Sequence, residues 1–424
     1  MSVTWNNKEY QPEKVIEKIE AARKTGNDGN KVQFIGWGFQ EFAALIYSML
    51  DFSNEIPEID ARGFVSKAIF NAAAKGAITT KSLIAEINRL EKAYESLPIE
   101  KYVLVSSISL SSSWKINKVK TANSLILFDN VLPAKFRKET DALLENAEHL
   151  LFANRPTNYL GVRVYVSAKS VHHAADQALE TLDFTRGVWN WLLNKRYSRR
   201  MSWAGKPEPV NNIILGPIHT LHKPSGKLAA TEVWWYEPNY LGAVKLFSPR
   251  QEEVEGISKS FDYVKKVFKK HKYPHVIQNA FIRYTRALDE RDWTTAFLKL
   301  WSILELLTDT GKANYDTTIK RTAFLYKERE YNIQVLQHLK KYRNSSVHLD
   351  MGNSEMETYL YQLKNYVETL LGFHLHNKFS FDTIQEAAEF LSLPYEEEIL
   401  LSQEKDFTTQ IKKRKLARKF RGYT

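Results

Sequence analysis

The sequence predicts an α+β fold that is predominantly α. It divides into an N-terminal helical region over 1–98, a central mixed α/β domain over 99–245, an antiparallel helical bundle over 246–380, and a C-terminal extension with a basic tail over 381–424. Three observations carry this reading. Apolar residues recur at helical spacing before Pro98 and again after Pro249, whereas β-branched runs bounded by polar turns are confined to the stretch between. The composition, 26% charged and 43% hydrophobic over 424 residues, is that of a folded soluble chain long enough for roughly two to four domains.

From Pro12 to Lys24 and from Phe39 to Phe52 the apolar spacing is helical, on either side of the loop Gly26-Asn27-Asp28-Gly29-Asn30. Further turns run through Lys67 to Ala74 and Ser82 to Tyr94, where Leu83, Ile87, Leu90 and Tyr94 share one face until Pro98 ends the series. Tyr102 to Leu110 and Ser124 to Phe128 then read as strands. Gly161 to Ala168 alternates as a strand and leads into a long helix from Val171 to Leu193. Ile213 to Leu221 and Leu228 to Trp235 flank Lys223-Pro224-Ser225-Gly226 in a strand, turn, strand pattern. Beyond Pro249, six apolar stripes predict helices at Glu252 to Lys270, His275 to Leu288, Trp293 to Thr308, Tyr315 to Tyr326, Ile333 to Tyr342 and Met356 to His374.

Charge and residue usage exclude several classes. No apolar run approaches the 18 or so residues of a membrane span, and Met1 to Ile19 lacks the apolar centre of a secretory signal, so a cytoplasmic location is expected. With no cysteine, disulfides, thiolate metal sites and thiol nucleophiles are excluded together. The net charge is +11, of which Lys412, Lys413, Arg414, Lys415, Arg418, Lys419 and Arg421 supply seven; no acid follows Asp406, which leaves +4 for residues 1–410. A solvated tail and an RNA phosphate contact are both open readings of that stretch.

Most motif candidates fail on spacing. Ser225-Gly226-Lys227 has the end of a phosphate-binding loop, but Leu221 stands where its first glycine belongs; Gly36-Trp37-Gly38 lacks the third glycine of a dinucleotide fingerprint. The pairs His172/His173, His219/His222 and His374/His376 lack metal-ligand spacing, so neither a metal nor another cofactor is expected. Asp289, Glu290 and Asp292 could hold magnesium in a nuclease, but a polar corner between two helices, with Asp292 as an N-cap, is the preferred reading. No serine sits in a strand-turn-helix elbow. Trp189 and Trp191 beside Lys195, Arg196, Tyr197, Arg199 and Arg200 could stack on bases, but a helix with an aromatic core face and a solvated basic end is the preferred reading.

One constellation remains, in Lys341-Tyr342-Arg343-Asn344-Ser345-Ser346-Val347-His348. An Arg and a His at one fixed separation meet often by accident, and an Asn directly after the Arg lowers that rate roughly twentyfold. The residue types suit RNA cleavage by the neighbouring 2′-hydroxyl. His348 can exchange protons near neutral pH, Arg343 can bind the non-bridging phosphate oxygens, and Asn344 can orient either group or the substrate. On a helix Asn344 and His348 share a face, while Arg343 must reach round with its long side chain. A 2′,3′-cyclic phosphate and a 5′-hydroxyl are the products this chemistry implies.

At these residues the sequence resembles the HEPN superfamily, whose RNases carry an Arg, four to six residues, and a His. Phe297 to Leu307 followed by Ile319 to Leu325 looks like the paired helices that precede the motif in the Apea-like group, and the resemblance covers about 249–376. It implies a homodimer in which two copies of the trio form a composite active site. Glu305, on the apolar stripe with Trp301 and Leu304, is expected to be buried and to position Arg343 or to pair with Arg321; the structural pairing is preferred. Tyr342 and Ser345 are candidates to line the site, though a core role suits Tyr342 better. Lys412, Lys413, Arg414, Lys415, Arg418 and Lys419 are candidate RNA contacts. The resulting expectation is a metal-independent endoribonuclease in antiviral (phage) defence or a toxin, with residues 1–245 as a sensor for an unidentified trigger. The alternatives are a catalytically inactive HEPN module for dimerisation or RNA binding, and a toxin silenced by a nucleotidyltransferase partner that modifies a residue beside the motif.

Overall fold

The computed structural model describes residues 3–6, 11–25, 32–34, 38–52, 56–121, 123–145, 158–195, 209–230, 235–237, 246–311, 314–346 and 355–423. The N-terminal region contains β1 (Thr4–Trp5), α1 (Pro12–Ala22), β2 (Arg23–Thr25), β3 (Val32–Phe34), α2 (Gly38–Ser48), β4 (Leu50–Asp51), α3 (Glu58–Lys75) and α4 (Thr80–Glu95). α4 falls where apolar spacing placed it, α1 and α2 end before the expected Lys24 and Phe52, at the strands β2 and β4, and α3 begins at Glu58 rather than Lys67; Ile19, Ile46, Val65, Ile69, Leu83 and Ile87 form their shared core. Thr79 and Ser82 cap α4 reciprocally, each side chain accepting the other's amide hydrogen, at 3.0 and 2.9 Å. The two small antiparallel pairs, β1 with β4 and β2 with β3, depart from the all-helical expectation. Strands of two or three residues are too short for a period of two to register.

Residues 100–236 hold β5 (Glu100–Ile108), β6 (Lys118–Lys120), β7 (Leu125–Asp129), α5 (Ala134–Glu145), β8 (Leu160–Ala168), α6 (Val171–Asn194), β9 (Ile218–His222) and β10 (Trp235–Tyr236). Their six strands run in the order β10-β9-β5-β8-β7-β6, and each neighbouring pair is antiparallel. Alternation along the two central strands sets the layers. Tyr102, Leu104 and Ile108 of β5, with Val162, Val164 and Val166 of β8, face the large core under α6. Val103 and Val105 turn the other way, onto Phe136 of α5. The predicted turn closes at Gly226, whose φ of 104° few side chains tolerate, and whose amide donates to Lys223 O at 2.9 Å.

Eight helices follow: α7 (Gln251–Lys270), α8 (Pro274–Leu288), α9 (Trp293–Leu307), α10 (Tyr315–Ala323), α11 (Arg329–Ser346), α12 (Met356–His376), α13 (Ile384–Phe390) and α14 (Glu397–Phe420). The first six match the predicted stripes to within a few residues. The described residues are therefore mostly helical, with one six-stranded antiparallel sheet and two short strand pairs. A single cluster of buried residues runs from Tyr102 to Leu391, so the sheet region, the bundle and α13 share one core, with α6 between sheet and helices. α6 and α8 approach so closely that a Cβ on Gly187 would lie 2.6 Å from the Phe281 carbonyl oxygen.

Polar groups lock this contact. Arg186, fully buried on α6, donates from Nε to Asp183 at 2.7 Å and through both terminal nitrogens to Asp289 at 3.0 and 2.6 Å. Arg286 of α8 bridges the same Asp183 to Glu237, which also meets His219 of β9 at 2.8 Å. Burial pushes the Glu237 carboxyl up, but the His219 bond and the charges of Arg286 and Arg186 outweigh it and hold it well below the usual range. Farther along, Lys364 of α12 donates to both oxygens of Glu368 at 3.0 Å and to Asn194 O at 3.2 Å, joining α12 to α6.

Two stability predictions follow from these groups. Arg186→Met leaves the Asp289 carboxylate without its cation and should cost about 3–5 kcal/mol in urea unfolding followed by circular dichroism, partly recovered when Asp289→Asn is added. A loss under about 1 kcal/mol would show that the network is dispensable. His374, with no exposed surface, bonds through Nε2 to Leu307 O at 2.7 Å and through Nδ1 to Tyr273 Oη at 3.1 Å; burial lowers its pKa to about 4 from 6.5. The unfolded chain therefore protonates first. As pH falls from about 6.5 to about 4, wild type should lose on the order of 3 kcal/mol relative to His374→Gln, with no divergence above pH 7. Parallel stability curves for the two proteins would contradict that assignment.

Candidate active site

The site is assembled on three helices of the bundle. α9 begins at Asp292, whose carboxylate accepts the Thr295 amide at 2.6 Å, as expected of an N-cap. Its residues Phe297, Leu300, Trp301, Ile303 and Leu304 are all buried, which places α9 at the centre of the helices. Glu305 is the acid on this helix, and it is half-buried. Trp301 Nε1 donates to it at 3.2 Å. Burial raises the carboxyl above its ordinary value, and the Trp301 bond and the Arg343 charge draw it only part of the way back.

Arg343 reaches this corner from the last turn of α11, which extends beyond the predicted Tyr342 to Ser346. A cation is favoured there, because the C-terminal carbonyls of a helix carry partial negative charge. Its guanidinium carbon lies 4.7 Å from the ring centroid of Tyr315, at the start of α10. Tyr315 in turn meets Trp301 edge-on at 6.1 Å. Lys340 and Asp316, paired at 2.8 Å, hold α11 against α10 beside this stack. Tyr342 packs edge-on to Phe297 and tilted against Tyr359, each at 5.2 Å, so its ring belongs to the packing that fixes α11.

The preferred pairing of Glu305 with Arg321 is not formed; Glu305 accepts from Trp301 and feels the charge of Arg343. Arg321 donates instead to Thr308 O at 2.5 Å and to Ser392 Oγ at 2.7 Å, where it ties α10 to the end of α9 and to the turn after α13. The expected full burial of Glu305 is corrected to half-burial. Asn344 is exposed on the same last turn as Arg343. His348 lies outside the described residues, and Ser345 is described only as backbone of α11. Arg196 to Arg200, Gly36 and Trp37 also lie outside them. Trp189 and Trp191 are buried, as the core reading of that helix required.

The basic stretch is α-helical rather than an irregular tail. Lys412, Lys413, Arg414, Lys415, Arg418 and Lys419 occupy the second half of α14, all exposed. Among the described residues, no three His, Asp or Glu side chains converge as metal ligands, and no helix is long and apolar enough to cross a membrane.

A second constellation escaped the sequence because 113 residues separate two of its members. Ser106 Oγ lies 2.8 Å from His219 Nδ1, and His219 Nε2 lies 2.8 Å from Glu237. These are the distances of a nucleophile, a base and its orienting acid. Ser106 and His219 are 4% and 1% exposed within the sheet, however, which closes the hydroxyl to a substrate, and the chain of bonds runs on through Arg286 to Asp183. It is a structural network. No family model, curated protein or solved structure matches this chain.

The stack predicts a measurable coupling. A double-mutant cycle of Tyr315→Leu with Arg343→Met should give about 0.5–1 kcal/mol in unfolding free energy, the usual worth of a half-exposed cation over a ring. Strict additivity would mean that the two side chains do not hold one another.

Proposed function

We propose that the chain is a metal-independent endoribonuclease of HEPN type, acting in antiviral defence or as a toxin. The observation that carries this reading is the placing of Arg343 and Asn344 on the exposed end of α11 with Glu305 of the central helix behind them. The guanidinium lies over the Tyr315 ring, and phosphate is recognised along a guanidinium edge by its in-plane N–H fork. Glu305 then acts as a positioning residue.

In the reaction, a 2′-hydroxyl loses its proton and attacks the adjacent phosphorus while the 5′-oxygen leaves and takes up a proton. Arg343 stabilises the anionic phosphorane, His348 moves the protons, and Asn344 orients the scissile group. Two copies of the trio in a homodimer would supply one base and one acid. Residues 1–245 are assigned as the sensor that restrains cleavage until a trigger arrives. The rival reading, an idle HEPN module that dimerises or binds RNA, draws support from the same Tyr315 stack, because Arg343 already has a structural task.

Labelled RNA incubated with the protein and EDTA distinguishes the two. Cleavage to 2′,3′-cyclic phosphate ends is expected, lost by at least about 100-fold in His348→Ala and Arg343→Lys with binding retained. RNA carrying a 2′-deoxy residue at the scissile position should resist. Binding without cutting, under conditions where a trigger-containing lysate is supplied, would favour the idle module.

A further inference from the structure

α14 leaves the rest of the molecule after Tyr395, whose hydroxyl donates to Lys327 O at 2.9 Å, and none of its residues is buried. Its charges are divided along its length. Glu397, Glu398, Glu404 and Asp406 precede the middle, accompanied by Lys405 alone, and every charged residue after Asp406 is a cation. Acids first and bases last suit the helix dipole, but that effect is spent within the end turns, whereas Glu404 and Asp406 stand near the middle. Nor does the dipole account for Phe407 and Ile411, 61% and 51% exposed at the point where the charge changes sign.

The residues Glu397, Leu400, Glu404, Phe407, Ile411, Arg414, Arg418 and Arg421 are spaced three and four apart throughout. At about 100° per residue they occupy one stripe roughly 120° wide, the seam of a two-helix coiled coil. The seam is its own complement when reversed. Folded on a twofold axis at residue 409, Phe407 of one copy meets Ile411 of the other, Glu404 meets Arg414, Glu397 meets Arg421, and the stem of Arg418 covers half-buried Leu400. A parallel pair would set Glu404 on Glu404 and Arg414 on Arg414, so like charges exclude that arrangement.

We propose that α14 is a dimerisation arm that pairs antiparallel with α14 of a second copy of this chain. RNA or an anionic membrane surface would use the cations, but neither gives the acidic half or the central Phe407 and Ile411 a role. Lys412, Lys413 and Lys419 lie outside the seam and stay available to phosphate. The pairing is independent of the ribonuclease reading and of any contact between bundles.

The native chain has no cysteine, so single cysteines report on the pairing directly. Thr408 flanks the seam beside the twofold axis, and Thr409, at the same height, points away from it. With a short bismaleimide, full-length Thr408→Cys should give at least about fivefold more covalent dimer than Thr409→Cys. In the Thr408→Cys background, Glu404→Arg or Arg414→Glu should each abolish the product, and the two changes together should restore it, as should mixing the two single-charge variants. Restoration guards against loss of folding as the explanation. Equal crosslinking at 408 and 409, no crosslinking at either, indifference to charge reversal, or a product that requires RNA or anionic vesicles would each overturn the proposal.

Discussion

A buried guanidinium organises this molecule. Arg186 has no contact with water, so its charge is tolerated only because Asp183 and Asp289 accept it, one from its own helix and one from the end of α8. Desolvating such a group is expensive, and the cost is recovered only at one relative position of the two helices. Gly187, the next residue, removes the side chain that would hold them apart. The sheet is joined through the same group of charges, by way of Arg286, Glu237 and His219. Hydrophobic contact would permit α6 to slide on α8; this network does not.

That rigidity is what gives the corner at α9, α10 and α11 a defined geometry. α9 contacts both α8 and α12, so its Glu305 inherits a position set by the core rather than by a loop. Arg343 arrives from the opposite direction on a helix end, and Tyr315 limits where its guanidinium can lie. A carboxylate, a ring and a helix terminus therefore act on one cation from separate elements. Such an arrangement restricts the side chain before any ligand binds, because a group held from several elements has already lost much of its freedom.

The charges of the body and those of α14 follow opposite rules. Within the body the strongly buried ions meet partners from their own chain, as Arg186 and Lys364 do. α14 presents an acidic half, a basic half and two central apolar side chains to solvent. Its helical state was illegible to a search for one apolar stripe, because the seam is mostly charged and Leu416 and Phe420 lie on the far side. Good helix formers and end charges matched to the dipole suffice for a helix of 24 residues even without tertiary packing.

By itself, the sequence determined the spans of α4, α6 to α10 and α12, the strands β5, β7 and β8, and the middle of α11, whereas of α3 it showed only the second half. A period of 3.6 or 2 is a local property, and burying one face is its direct consequence. The short strands of the N-terminal region lacked the length to show a period. The motif Arg343-Asn344 was also legible, since it is contiguous. Only the tertiary structure decided that Arg321 binds backbone carbonyls rather than Glu305, that Ser106 and His219 are buried in the sheet with Glu237 against them, and that Asp289 completes Arg186. Those pairings join residues far apart in the chain, and which of several opposite charges meet is chosen by how helices pack, a property no local spacing encodes.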